Sequence, residues 1–293
     1  MTARSDERMS RLAAARVPFV HAVVVRAQFP TSAKAGDHAI ILGDGSIDGF
    51  VGGQCAEASV RTAALETLRT GEPVLLRVLP EGDDSFPTTY GAQVVVNSCL
   101  SGGALEIFLE PRLPPPIVTV VGDTPVADAL VTMIDVLGYT AQRTTAVPRD
   151  ASAVIVASHG RDELPALRAA LDADVPYIAL VASRRRGRSV LDELGVDEAA
   201  RARISTPAGL DIGARTAPEV ALSILAEVIP VVRSVKPAEV VDSAAPVEAV
   251  DPVCGMTVAT GPAAVHVSAD GVDVWFCSTH CRDRYAAPDG QPA

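Results

Sequence analysis

Five cysteines occur in the chain, and their neighbours place them in two chemical settings. Cys55 follows Gly52-Gly53-Gln54 and precedes apolar residues at Val60, Ala63, Ala64 and Leu68, the spacing of one helix face. It therefore stands at a helix mouth, with Gly71 and Pro73 closing the helix. Unpaired N–H groups at a helix start favour negative charge, so they lower a thiol's pKa and attract phosphate-like anions. Cys99 stands beside a second glycine pair, Gly102-Gly103, after a strand-like stretch at 93–96. The plain alternative for either residue is a small buried hydrophobe.

The other three cysteines crowd into the tail. Cys254, Cys277 and Cys281 form the pattern C-x22-C-x3-C with His280 inside it, which is soft-ligand spacing for zinc or another soft transition metal. Three thiolates leave one tetrahedral position, open to His280, to an oxygen donor or to a cysteine of another chain. A tail of roughly forty residues buries little core, so a metal staple is expected to hold it as a self-contained module. Three unligated thiols are the plain alternative.

Anion-binding chemistry gathers between these two regions. Ser183-Arg184-Arg185-Arg186-Gly187-Arg188 is a dense basic stretch in a chain of net charge −11, and guanidinium groups match phosphate in a bidentate way. Ser158-His159-Gly160 ends another apolar run, and residues 207–213 form a loop able to close over the same crevice. The competing view is a solvated arginine loop and a structural histidine.

These residues need elements to position them. The pattern predicts strands at 19–27, 39–42, 47–51, 74–78, 93–96 and 105–109 around the Cys55 helix, an α+β domain ending near Pro111. Residues 81–90 read as a long loop. Pro114-Pro115-Pro116 marks a boundary. Beyond it, strands at 117–121, 139–143, 153–157 and 177–181 alternate with helices, the rhythm of a parallel, doubly wound sheet. Thr216-Ala217-Pro218-Glu219 fits a capping box opening a helix to about residue 229. The segment 231–250 lacks a period and reads as a flexible linker.

The turn after 117–121 reads Gly122-Asp123-Thr124-Pro125-Val126-Ala127, where a dinucleotide turn carries G-x-G-x-x-G. Only the first glycine is kept, and Asp123 repels a pyrophosphate. Gln142 and Arg143 stand where a ribose-binding acid belongs. The Rossmann-like fold is expected, ordinary NAD binding is not. The acidic balance excludes general nucleic-acid and anionic-membrane partners, no apolar run reaches spanning length, and the odd cysteine count is not a disulfide scaffold. A soluble protein of the reducing cytoplasm is expected.

The first two regions resemble the XdhC/CoxI family of accessory factors of molybdenum hydroxylases. The resemblance covers about 18–230 and rests on Gly49 through Glu57, on Cys99 to Glu106 with Glu110-Pro111, and on Ser158-His159 and Ser183-Arg184-Arg185. It also rests on 207–213 running into Glu219-Val220-Ala221. The tail resembles a YHS domain, related to TRASH-type metal modules, through 251–256 and 276–281. Together these imply an XdhC/CoxI-type domain at 17–112, a Rossmann-like domain at 116–232, a linker at 233–249 and a metal module at 250–289. What the resemblance implies is a maturation chaperone for the molybdenum cofactor, molybdopterin with its dinucleotide form left open. Its partners would be an apo molybdenum hydroxylase, of xanthine or carbon monoxide dehydrogenase type, and a cysteine desulfurase or sulfurtransferase. A homodimer is expected, and no catalytic residue is assigned. Gly52, Gly53, Gln54, Cys55, Cys99, His159, Ser183, Arg184 and Arg185 would hold the cofactor; Cys254, Cys277, Cys281 and His280 would hold the metal. The alternatives are a nucleotide-dependent oxidoreductase, which a full glycine turn would favour, and a metal-responsive binding protein using the tail.

Overall fold

Nine residues from Phe19 to Ala27 form β1, whose first four side chains are all buried. The structure is a computed structural model describing residues 3–80, 91–97, 103–234, 247–269 and 271–287. A helix α1 (Ala3–Ala14) precedes β1; β2 (His38–Leu42), β3 (Ile47–Gly49), α2 (Gln54–Thr70), β4 (Val74–Leu79), β5 (Ala92–Val96) and β6 (Leu105–Arg112) follow. The strands form one mixed sheet in the order β3-β2-β1-β6-β4-β5, parallel only between β4 and β5. Asp44 accepts the Ser46 N–H at 2.9 Å in the turn joining β2 to β3. The apolar face of α2, with Val60, Ala63, Ala64 and Leu68, packs on Val20, Val24, Leu76 and Ile107 of the sheet. Gly71 ends α2 in the left-handed conformation and returns its N–H to Thr67 at 2.9 Å. The loop expected at 81–90 lies outside the described residues.

The chain divides into two compact units, 1–114 with 236–293, and 115–235. In the second unit, β7 (Ile117–Val121), α3 (Pro125–Val136), β8 (Thr140–Arg143), β9 (Ala151–Val156), α4 (Glu163–Asp172) and β10 (Tyr177–Leu180) alternate. Then come α5 (Arg184–Leu194), α6 (Glu198–Ala202), β11 (Ile204–Ser205) and α7 (Ala217–Ser234). Every strand pairing is parallel, in the order β11-β10-β9-β7-β8. Alternate residues of the central strands face opposite layers. Ile117, Val121, Val154 and Val156 pack with the helix residues Ala166, Leu167, Val190 and Leu194. Val118, Val120, Ala153 and Ile155 pack with Leu130, Ile134, Ile224 and Val228. Burial on both faces explains why these strands read as continuous apolar runs. The capping box of α7 is reciprocal: Thr216 N–H donates to the Glu219 carboxylate at 2.9 Å, and Glu219 N–H donates to Thr216 Oγ1 at 3.4 Å. The helix runs past residue 229 through Pro230 to Ser234.

The tail holds two hairpins, β12 (Glu248–Val250) with β13 (Thr257–Ala259) and β14 (Val265–Ala269) with β15 (Val272–Phe276), then α8 (Thr279–Ala286). The linker expected at 233–249 is shortened at both ends by α7 and β12; residues 235–246 lie outside the description. The tail is not self-contained. Its apolar cluster of Met256, Val258, Phe276, Cys277 and Cys281 takes in Ala58 of α2. The Ala259 N–H donates to Thr62 Oγ1 at 3.1 Å. A module this small has too little apolar surface to close on itself and borrows the exposed side of α2.

Candidate functional site

The tail brings Asp251, Cys254, Cys277 and Cys281 together, with one ligand atom from each lying within 4.8 Å of the others. Cys277 Sγ is 3.6 Å from both Cys254 Sγ and Cys281 Sγ, close to the separation of about 3.8 Å that two thiolates take around tetrahedral zinc. Two strand ends and a helix start build this set. Cys277 follows β15, Cys281 lies in the first turn of α8, and Cys254 lies in the turn between β12 and β13. Ser278 caps α8, its Oγ accepting the Cys281 N–H at 3.3 Å. Asp251 is fully buried, and its carboxylate accepts N–H bonds from Cys277 and Val253, each at 2.8 Å. Burial opposes its ionisation, but these N–H groups and the neighbouring thiols prevail and hold its carboxyl below the usual range. Three soft donors with one oriented carboxylate fit zinc or a similar ion.

His280, expected among the ligands, is instead exposed on α8 and outside this set. It precedes Cys281 by one residue, so it points about 100° around the helix from that thiol. Asp251 takes the place instead. Its signal was the acid three residues before Cys254, the spacing of a tight turn.

The mouth of α2 forms as the glycine pair suggested. Gly52 has φ +140°, and a Cβ there would stand 2.8 Å from that of Ala56. Gly53 is the N-cap residue and supplies no side-chain bond; Cys55 is the second residue of the helix. Gln54 is already engaged, since its Oε1 accepts both the Thr279 N–H at 3.1 Å and the Thr279 hydroxyl at 2.8 Å. Cys99 lies outside the described residues. A cavity of about 570 Å³ is lined by Ser59 and Thr62 of α2, Val94 and Val96 of β5, and Cys254 and Met256 of the tail.

In the second unit, the carboxyl ends of the strands carry a cavity of about 660 Å³. His159, Ser183, Arg184, Arg186 and residues 207–212 line it, whereas Arg185 is exposed beyond its wall. Ser183 caps α5, with its Oγ accepting the Arg186 N–H at 3.3 Å, so this hydroxyl serves the helix. Arg186 pairs with the Glu163 carboxylate at 2.5 Å, and that carboxylate also accepts the Gly160 N–H at 2.7 Å. Arg184 has no ion-pair partner among the described residues. Its guanidinium is therefore the free cation of the wall. His159 has φ 51° and Asp162 φ 53°, left-handed values that cost about 1–3 kcal/mol each outside glycine and recur at ligand sites.

The 207–213 loop is held by Glu227, which sequence reasoning missed. Its carboxylate accepts bonds from the Tyr177 hydroxyl at 2.7 Å, Ser205 Oγ at 3.1 Å and the Gly209 N–H at 3.1 Å. Burial, then the bond to Glu227, pushes the Tyr177 phenol far above its ordinary range, so it stays a donor. A polar residue in the middle of an apolar helix was the available signal.

Among the described residues, no helix is long and apolar enough to cross a membrane. The XdhC and CoxI family matches residues 12–78, and the XdhC Rossmann domain matches residues 118–228. The uncharacterized protein YqeB of Escherichia coli (strain K12) is 26% identical over 246 residues, 73% of this chain and 43% of that protein. The chain thus spans less than half the length of this relative. A solved structure titled as a xanthine dehydrogenase from Bacillus halodurans is 17% identical with a TM-score of 0.39, covering 79% of this chain and 96% of that one. The two family matches fall one on each compact unit, and the chain belongs to the XdhC and CoxI family.

Proposed function

We propose that the chain is a maturation factor that holds the molybdenum cofactor for a molybdenum hydroxylase of the xanthine or carbon monoxide dehydrogenase type. The observation that carries this reading is the cavity of about 660 Å³ where Arg184, Arg186 and His159 converge under the 207–212 loop. It offers a free guanidinium at a helix start, suited to the terminal phosphate of a pterin. Its volume suits an organic cofactor of that size. The cofactor supplies its own redox chemistry once in the hydroxylase; this chain's residues bind, orient and shield it. The Glu163 carboxylate fixes Arg186, and Glu227 fixes the lid loop, so the anion would meet a preformed wall.

Cys55 at the start of α2 is the thiol assigned to sulfur or molybdenum handling, with Cys99 as its companion. Sulfuration would then draw on a cysteine desulfurase or sulfurtransferase, and delivery on the apo hydroxylase, all in the cytoplasm and with the factor as a homodimer. The Asp251 and three-cysteine set favours a second role, a YHS-type metal centre that makes binding responsive to metal.

Reconstitution tests this. Apo xanthine dehydrogenase is mixed with limiting cofactor, with and without the purified chain. The expected result is a faster and higher recovery of hydroxylase activity with the chain, lost in the Arg184→Ala variant. Recovery independent of the chain contradicts it.

A further inference from the structure

The second unit carries another cavity that the cofactor reading leaves unused. The strand order reverses between β7 and β9, and open parallel sheets bind ligands outside the carboxyl ends at such a point. A cavity of about 260 Å³ opens there, lined by Gly122, Arg143, Thr144, Ser158 and Arg161 among others. A second, of about 470 Å³, is lined by Gln142, Arg143, Thr144, Ala146, Val147 and Pro148, so the two share Arg143 and Thr144.

The turn keeps more of a dinucleotide shape than its letters suggest. Gly122 has φ +124°, and a Cβ there would stand 2.2 Å from the Ala157 carbonyl oxygen. Thr124, in the second glycine position, folds its side chain inward, donating to the Ala157 carbonyl at 2.8 Å and accepting the Ala127 N–H at 3.2 Å. Ala127, in the third position, is fully buried, and alanine is an accepted residue there. With Pro125 at the helix start and the Ala127 N–H spent, α3 offers little to a pyrophosphate. Asp123 beside Arg161, at 3.5 Å, adds no positive charge. Affinity has to come from another part of the ligand.

Arg143 ends β8, 21 residues after Gly122. An acid at this place binds a ribose 2′-hydroxyl, whereas an arginine accepts a 2′-phosphate. The guanidinium is already oriented: Nε donates to the Gly122 carbonyl at 2.9 Å and Nη2 to Asp128 at 2.7 Å. Its Nη1 has no partner among the described residues, and Thr144 and Thr145 follow on the cavity wall. Across the cavity, Ser158 is 4% exposed, and its Oγ is buried with no hydrogen-bond partner among the described residues. A buried hydroxyl left so costs stability unless a ligand completes it.

We propose that the carboxyl ends of β7, β8 and β9 bind a 2′-phosphorylated adenine dinucleotide, with Arg143 and Thr144 at the 2′-phosphate and the Ser158 hydroxyl completing its bond on the ligand. The missing acid at 142–143 disfavours the unphosphorylated form, and Arg143 favours the phosphorylated one. This site is separate from the arginine cavity, since Ser158 faces one and His159 the other. Its test does not depend on the cofactor reading.

Binding of NADPH, NADH and 2′,5′-ADP to the full chain is measured by calorimetry. NADPH and 2′,5′-ADP are expected to bind, with NADH weaker by about tenfold or more. Arg143→Ala should weaken NADPH by about 10- to 100-fold while leaving NADH unchanged, which erases the preference. Ser158→Ala should weaken NADPH while the thermal midpoint of the free chain stays level or rises, since an orphan hydroxyl is removed. A purely structural serine would not separate the two readouts. Equal affinity of the parent chain for NADPH and NADH, or binding of neither, overturns the proposal, and this comparison needs no variant. An unchanged NADPH affinity in a folded Arg143→Ala or Ser158→Ala chain overturns it as well.

Discussion

Gln54, the first residue of α2, holds Thr279, the first residue of α8, through two bonds to one oxygen, at 3.1 Å from the N–H and 2.8 Å from the hydroxyl. Thr279 lies between the metal-set residues Cys277 and Cys281, so the order of that set reaches the residue next to Cys55. Chelation should therefore lower the thermal midpoint of the first unit and not merely loosen the tail. Gln54→Ala should cost about 1–2 kcal/mol in the metal-loaded chain and shrink the effect of chelator. Calorimetry on both forms checks this; a chelator effect equal in the two contradicts the coupling.

The ligand set itself is open to direct assay. Asp251→Ala, Cys254→Ser, Cys277→Ser and Cys281→Ser should each drop bound metal well below one ion per chain, while His280→Ala retains it. Cobalt substitution should show thiolate charge transfer in the parent and a weakened band in each cysteine variant. Loss of metal in His280→Ala with retention in Asp251→Ala would return the fourth place to the histidine.

Arg77 on β4 and Glu106 on β6 are register partners joined at 2.7 Å, with side chains 5% and 12% exposed. Breaking a buried ion pair is costly, so Glu106→Leu should cost about 3–5 kcal/mol. Pairing it with Arg77→Leu should recover part of that loss. Urea titration decides, and a double variant as unstable as the single one would show that the pair is not the source.

His21 is buried, and its Nε2 has no hydrogen-bond partner among the described residues. Burial first, then the neighbouring His38 and Arg112, lowers its pKa below the ordinary 6.5; Glu110 and Asp6 oppose this. A depressed histidine contributes stability above the unfolded pKa, and that contribution is lost as pH falls through 6.5 toward the folded value. The parent chain should weaken over that window, and His21→Gln should flatten the curve. Identical slopes in both would remove His21 as the cause.

Much of this architecture was legible in the residues. The runs 19–27 and 117–121 coincide with β1 and β7, because one is apolar along its sheet-facing side and the other is buried on both faces. Gly71 and the Thr216–Glu219 box marked helix ends through purely local chemistry. What escaped notice depended on contacts distant in sequence. The hairpins of the tail take their place from Ala58, nearly two hundred residues earlier, as the Thr62–Ala259 bond also shows with its separation of 197. Asp251 had the local signal of its spacing to Cys254, but its place in the set depends on Cys277, 26 residues on, turning its N–H toward it. Glu227 looks like a helix surface residue until three donors from other elements converge on it. His159, Arg184 and the 207–213 loop were legible together as one crevice, because the strand ends of a doubly wound sheet open on a common side, and one cavity joins them.

The central claim is that the arginine cavity holds the molybdenum cofactor, and one measurement reaches it most directly. The full chain is purified from a molybdate-fed host, and its pterin is released, oxidised to its fluorescent form and counted per chain together with molybdenum. The account predicts pterin and molybdenum in matching amounts in the parent chain. Arg184→Ala with Arg185→Ala should lose about one to two decades of affinity and most of the bound pterin, with the tail metal unchanged. A parent chain free of pterin, or a folded double variant carrying as much pterin as the parent, would contradict it.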